Sequence, residues 1–262
     1  MTDNPPDCVV FISGGATGIG RAIGRRFIAS GSHVHVADAD AASVARFLDE
    51  HPGASGSVCD VGDVAQVDRA FEDLRRRHGR LDVLVNNAGI AGPTGRVEDI
   101  DPVAWERTVA VDLNGQFYCA RRAVPMLRAR GGGSIICIAS TAALFGFPLR
   151  APYAACKWAM IGFVKTLAME LGPERIRVNA ICPGSVSGPR IDGVIERDAA
   201  SRGMQPQQIR DIYLRQTSMR TFVDAEDVAE MAHFLASPAG AKISGQAIAV
   251  DGHTEGLSNW LD

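Results

Sequence analysis

Short apolar runs rich in β-branched residues alternate with longer stretches of helical period along the whole chain, and that alternation leaves few folds open. The strand candidates are Cys8–Ile12, His33–Ala37, Ser57–Asp60, Val83–Val85, Ser134–Ala139, Arg177–Ile181 and Ala247–Val250. Helices are expected over Ile19–Ala29, which stops before Gly31, and over Val64–Arg77 behind Asp63 as N-cap. Three more are expected over Trp105–Arg130, over Tyr153–Leu171 up to Gly172-Pro173, and near Ala225–Leu235. Parallel strands need crossover connections, and a sheet covered on both faces makes its strands near-continuous apolar runs. The pattern predicts an α/β fold, a single domain over residues 1–262 with one doubly wound parallel sheet of about seven strands flanked by helices. One segment breaks the alternation: Gly188–Arg220 is polar, charged and weakly helical. It follows a strand's carboxyl end, over the crevice where such sheets bind ligands, and is expected to act as a substrate lid over about 188–220.

Composition removes several function classes. With 46% hydrophobic residues the chain can bury a full core without metal or disulfide staples. The net charge of −3 gives no electrostatic support to a nucleic-acid or anionic-membrane partner. The run Arg75-Arg76-Arg77 follows Glu72 and Asp73 at helical spacing, as a solvated helix end does. Six cysteines at 8, 59, 119, 137, 156 and 182 make no CxxC pair, and the histidines do not cluster, so neither a disulfide framework nor a metal site is expected. His33 and His35 share a strand face but have no evident third ligand. Met1–Asp7 lacks the basic start and apolar stretch of a secretory leader, and no apolar run reaches membrane-spanning length. A reducing, cytoplasmic setting is expected, with a small molecule as substrate.

The segment Ser13-Gly14-Gly15-Ala16-Thr17-Gly18-Ile19-Gly20 joins the first strand to the first helix. Gly14 permits the sharp turn, Gly18 lets backbone approach a pyrophosphate, and Gly20 lets helix pack on sheet, in the manner of a Rossmann-type site. The helix N-terminus then offers free N–H groups to the phosphates. Asp38 ends the second strand, where a carboxylate accepts from the adenosine ribose and repels the extra phosphate of NADP. No Arg or Lys lies in Gly14–Thr17 or in the two positions after Asp38, so NAD is preferred over NADP. Asp38 can alternatively cap the following segment, a role open also to Asp40.

Further elements stand in order along the chain: Asn86-Asn87-Ala88-Gly89 after the fourth strand, Asn114, Ser140 thirteen residues before Tyr153, Tyr153-x-x-x-Lys157, and Pro183-Gly184. With the glycine turn, these make nearly the whole chain resemble the short-chain dehydrogenase/reductase family. The resemblance implies an NAD-dependent oxidoreductase that moves hydride between nicotinamide and a secondary alcohol or ketone, with Asn114, Ser140, Tyr153 and Lys157 as its catalytic residues. The chemistry needs such residue types. Removing hydride from an alcohol also removes the hydroxyl proton, and a tyrosine of ordinary pKa about 10 is a poor base until a nearby ammonium favours its phenolate. Tyr153 and Lys157 are four apart on an expected helix and so share a face. Ser140 is expected to hold and polarise the substrate oxygen. Asn114 is expected to shape its helix around a water and complete a proton relay from Lys157.

The same resemblance assigns cofactor contacts. Gly14, Thr17, Gly18, Ile19, Gly20 and Asp38 take the adenosine and pyrophosphate, and Asp60 and Val61 flank adenine. Asn87, Ala88 and Gly89 line the middle, while Asn86 braces the sheet. Tyr153, Lys157, Pro183, Gly184, Val186 and Ser187 meet the nicotinamide half, with Lys157 on its ribose. The chain departs from the family's pattern at Ala139, Ala143, Cys156 and His253, none of them a catalytic group. Relatives commonly form homotetramers through the helices at Gly115–Arg130 and Tyr153–Leu171, and the tail Asn259-Trp260-Leu261 is a candidate for packing on a neighbour. Phe145, Phe147 and Leu144 suggest a partly apolar pocket, while Arg150 and Arg190 offer cationic contacts to a carboxylate, sugar or other polar substrate. A 3-oxoacyl-type or other carbonyl reductase working in the opposite direction is the alternative. A non-catalytic dinucleotide sensor is a further one, although it has no need of Ser140, Tyr153 and Lys157.

Overall fold

The computed structural model describes residues 7–256. Its sheet contains β1 (Val9–Ser13), β2 (His33–Asp38), β3 (Ser55–Val58), β4 (Val83–Asn86), β5 (Gly133–Ile138), β6 (Ile176–Pro183) and β7 (Ala247–Val250). These seven strands lie in the order β3-β2-β1-β4-β5-β6-β7, and each neighbouring pair is parallel. The sheet winds outward from β1 through β2 to β3, and from β4 through β5 to β7. The order reverses between β1 and β4, paired from Val10 with Val83 to Ser13 with Asn86, so a crevice opens at their carboxyl ends. This is the doubly wound α/β architecture that the alternating pattern predicts.

Side-chain alternation along β1 shows how the two layers arise. Val9 and Phe11 face one core, which includes Phe71 and Leu74 of α3 (Val64–His78), Leu127 of α5 (Gly115–Arg130) and Met160 of α6 (Ala151–Leu171). Val10 and Ile12 face the other, built with Phe27 of α1 (Gly18–Ala29), Phe47 of α2 (Ala41–Glu50) and Leu235 of α9 (Ala225–Ala236). A strand buried on both faces must be apolar throughout, and all five residues of β1 are buried. Asp63 caps α3 by accepting from the Ala65 and Gln66 amides, and Gly79 ends that helix in the left-handed conformation.

Three local expectations need correction, and one helix is additional to those expected. The third strand is Ser55–Val58, two residues earlier than the expected Ser57–Asp60, and it contains a glycine and two serines in place of an apolar run. The segment after Asp40 is the helix α2. The expected helix Trp105–Arg130 is interrupted: α4 (Pro102–Val109) passes into a π-helical turn, Ala110–Asn114, before α5 begins. Finally, the polar segment after β6 holds two full helices, α7 (Pro189–Arg202) and α8 (Pro206–Arg215), joined by a small cluster of Ile195, Ala199, Ile209 and Tyr213. The tail beyond, Asp251–Glu255, packs back on this segment through a Thr217–Thr254 bridge and a 2.7 Å hydrogen bond between Ser218 Oγ and His253 Nδ1. Asn259-Trp260-Leu261 lie outside the described residues. No helix among the described residues is long and apolar enough to cross a membrane.

The serines of β3 serve a buried polar chain. His35, 1% exposed and stacked on Phe11, bonds Ser55 Oγ through Nδ1 at 2.9 Å and Ser57 Oγ through Nε2 at 3.0 Å. Ser55 continues to His78, and Ser57 donates to Asp73. Burial, with the neighbouring His78 charge, pulls the His35 pKa down to about 4 from 6.5. A folded-state pKa below the unfolded one means that the unfolded chain binds the extra proton. Stability is therefore full above pH 6.5 and is lost as pH falls toward 4. His35 should account for a loss of about 2 kcal/mol between pH 7.5 and 5, and urea unfolding of His35→Asn should show a pH slope flatter by that amount. An unchanged slope would contradict this assignment.

Candidate active site

At the carboxyl end of β1 the chain turns at Gly14, φ +58°, where a Cβ would lie 2.9 Å from Ala88 Cα. Gly20 is tighter still, since a Cβ there would meet the Gly14 carbonyl oxygen at 2.1 Å. Asn87 fastens this turn to the end of β4. Its Nδ2 donates to the Ser13 and Gly14 carbonyls at 3.1 and 2.8 Å, while Ser13 Oγ accepts from the Asn87 and Ala88 amides. Thr17 precedes α1 in extended conformation without a side-chain cap, so the first-turn N–H groups have no such partner among the described residues. Asp38 reaches the same turn, accepting from the Ala16 amide at 3.1 Å, and Asp40 takes the capping role on α2.

At the far end of the crevice Ser140 follows β5, its Oγ accepting from the Ala142 amide. Lys157 is buried on α6; its Nζ donates to the Ile138 carbonyl at 3.0 Å and sits 5.5 Å from the centre of the Tyr153 ring. Burial, and to a lesser extent the Asp112 charge, raises the Tyr153 pKa. The Lys157 and Arg190 charges and the Ser140 hydroxyl oppose it, and the net result lies below the ordinary value of 10. Phenol, ammonium and serine hydroxyl thus form one coupled group. Cys156, beside them in sequence, is a buried thiol pushed up to about 11, chiefly by burial, and is not activated.

A cavity of about 550 Å³ joins the two ends. Gly14, Thr17, Gly18, Ile19, Asp38, Asp60, Val61, Asn87, Ala88 and Gly89 line one part; Ser140, Tyr153, Lys157, Pro183, Gly184, Val186 and Ser187 line the other. Gly20 lies behind Gly14 rather than in the wall. Phe147 lines the cavity, whereas Leu144 packs on the core and Phe145 offers its carbonyl to Trp158. A turn that only glycine fits, an uncapped helix start and a carboxylate at the end of β2 are the features a dinucleotide requires, and the residues present fit one.

Asn114 is not brought to this cavity. It closes the π-helical turn and makes no side-chain hydrogen bond among the described residues. Asp112, two residues earlier, stands directly behind the wall at Gly89 and Ile90. Fully buried, it accepts from the Ile90 amide at 2.7 Å through Oδ1, while Oδ2 has no hydrogen-bond partner among the described residues. Burial raises its pKa, with the Lys157 charge the leading opposing influence. Gln116 Nε2 donates to the Ala88 carbonyl, and Asn86 Nδ2 donates to the Gln116 carbonyl at 3.0 Å, so Asn86 does brace the sheet to this helix. The π turn inserts a residue and rotates the helix, which a regular 3.6-residue period from sequence does not anticipate. Arg107 is a second unexpected residue, in the wall itself and ion-paired to Asp60 at 2.8 Å.

A family profile described as enoyl-(acyl carrier protein) reductase matches residues 14–254. The trans-4-hydroxycyclohexanecarboxylate dehydrogenase of Sinomonas cyclohexanicum is 36% identical, covering 96% of this chain and 94% of that protein. The D-beta-hydroxybutyrate dehydrogenase of Rhizobium meliloti is 33% identical over 92% and 96%. Among solved structures, a single-residue variant of the actinorhodin polyketide ketoreductase with NADPH aligns with TM-score 0.90 at 32% identity, covering 97% of this chain and 98% of that one. The 3-ketoacyl-(acyl-carrier-protein) reductase from Brucella melitensis, complexed with NADH, aligns with TM-score 0.84 at 31% identity, over 94% and 98%. Relatives of this chain therefore bind nicotinamide dinucleotides of both kinds.

The Asp112–Ile90 bond yields a stability prediction. Asp112→Leu leaves the half-buried Ile90 amide without its acceptor and should lower unfolding free energy by about 1–3 kcal/mol. Asp112→Asn keeps an acceptor oxygen and should lose less in the same urea titration. Equal losses would show that the bond does not hold this segment.

Proposed function

The chain belongs to the short-chain dehydrogenase/reductase family, and we propose that within it the protein is an NAD-dependent dehydrogenase of small or medium polar secondary alcohols. Oxidoreduction at a CH–OH group is the activity common to its relatives' names. One observation carries the rest: the Tyr153 phenol sits among Lys157, Arg190 and Ser140 with its pKa held below the ordinary value. When bound, the nicotinamide supplies the hydride acceptor. Ser140 holds the substrate oxygen, Tyr153 takes the hydroxyl proton, and Lys157 stabilises the phenolate and orients the nicotinamide ribose. Asp112 places the Gly89 segment against Lys157, since a Cβ at Gly89 would lie 3.4 Å from Asp112 Oδ1 and 3.5 Å from Lys157 Nζ.

Preference for NAD rests on Asp38. Its carboxylate is tied to the Ala16 and Asp40 amides, so it stands fixed where a 2′-phosphate would meet a like charge. Names of two relatives as hydroxy-acid dehydrogenases support the oxidising direction over a 3-oxoacyl-type reductase. The segment 188–220 acts as the substrate lid over a single domain. Exposed Phe117 on α5 and exposed Trp158 and Met169 on α6 support a homotetramer paired through those helices. We place the protein in the cytoplasm, on the six unpaired buried cysteines.

The test follows reduced-nicotinamide absorbance with NAD or NADP and a panel of alcohols, polyols and hydroxy acids. Turnover should be faster with NAD, and Tyr153→Phe should lose about 100- to 10,000-fold in kcat while keeping NADH affinity. Near-normal turnover in that variant, or an NADP preference, would overturn the corresponding part of the proposal.

A further inference from the structure

Two guanidinium groups crowd the reacting tyrosine, and neither has an ion-pair partner among the described residues. Arg150, immediately before α6, is 6% exposed; its Cζ lies 5.1 Å from the centre of the Tyr153 ring and 5.3 Å from that of Phe147. One Nη donates to the Ala91 carbonyl at 2.7 Å, while the buried Nε has no hydrogen-bond partner among the described residues. Arg190, in the first turn of α7, sits 6.0 Å from the same tyrosine ring and reaches the Gly89 carbonyl at 3.3 Å. Two carboxylates on the lid are already engaged, Asp192 with Arg210 and Asp198 with Arg202. Asp112, the acid coupled to both arginines, is coupled first to Lys157. Burial together with the Arg190 and Arg197 charges makes Arg150 less favourable as a cation than an exposed arginine. An uncompensated, mostly dry guanidinium at a cavity wall strongly favours an anion of complementary shape.

We propose that Arg150 and Arg190 form the anion-binding end of the substrate pocket, and that the substrate is a short hydroxy acid whose carboxylate they hold. This inference rests on the dehydrogenase reading above. Its carbon skeleton lies against Phe147, Ile191, Val194 and Tyr213, which line the same cavity, while its hydroxyl meets Tyr153 and Ser140. The hydroxy acid gives its carbinol hydride to NAD and its hydroxyl proton to Tyr153, leaving the oxo acid, NADH and one proton. Arg150 belongs to the body of the fold and Arg190 to the lid, so a carboxylate held by both ties one to the other.

Binding without turnover tests the site. The wild-type protein saturated with NADH is titrated calorimetrically with cyclohexanecarboxylate and with its neutral counterpart, cyclohexanecarboxamide. The carboxylate should bind at least about 10-fold tighter, and Arg150→Gln or Arg190→Gln should each remove most of that preference. Arg150→Lys, which keeps a charge in the buried position, guards against a folding failure and should retain part of the preference. Equal affinities, a preference that survives both substitutions, or a loss explained entirely by weaker NADH binding would overturn the proposal. Carboxylate preference without alcohol oxidation would leave the anion site standing and remove the dehydrogenase reading. Tyr153-dependent oxidation with no such preference would do the reverse.

Discussion

Everything in the cavity depends on how the carboxyl ends of β1 and β4 are fastened together. The strand order reverses between them, so their loops separate and open the crevice. Asn87 and Ser13 close the base of that opening with reciprocal hydrogen bonds, and the Gly14–Gly20 contact brings α1 against it closer than any side chain permits. The glycine turn therefore does two jobs. It shapes a phosphate cradle, and it sets the distance between the first helix and the Asn87–Gly89 segment that leads to the reacting end.

The reacting end is organised by electrostatics among largely buried charges. Lys157 is buried with a carbonyl partner, Asp112 is buried with one oxygen unpartnered, and Tyr153 lies between cations. Desolvation pushes the phenol and the carboxyl upward alike, and only the phenol has enough positive charge nearby to be brought below its ordinary value. That asymmetry supports the base role for Tyr153 and a positioning role for Asp112. The same surplus of positive charge is what an anionic substrate would satisfy.

Much of this was legible in the chain. Glycine spacing, the Asn86–Gly89 element and the Tyr153/Lys157 pair are local patterns whose spacing survives folding, and they converge on one cavity. Elements governed by tertiary context were not. The shift of β3 by two residues follows from Ser55 and Ser57 satisfying His35 and His78 in the interior, a pairing invisible to hydrophobic periodicity. The π turn sets Asp112, rather than Asn114, behind the Gly89 wall, because one inserted residue rotates every later side chain. Arg150 is legible as a cationic contact, but its burial against Tyr153 is a tertiary packing that spacing along the chain does not reveal.

The central claim is that Lys157 makes Tyr153 a usable base. Ultraviolet difference titration of the wild type against Tyr153→Phe isolates the ionisation of this phenol from those of Tyr118 and Tyr213. Its pKa should lie below 10 in the wild type and rise in Lys157→Met, in which a side chain of similar length lacks the charge. A phenol that ionises at 10 or above in the wild type, or at the same pH in both proteins, would contradict the account.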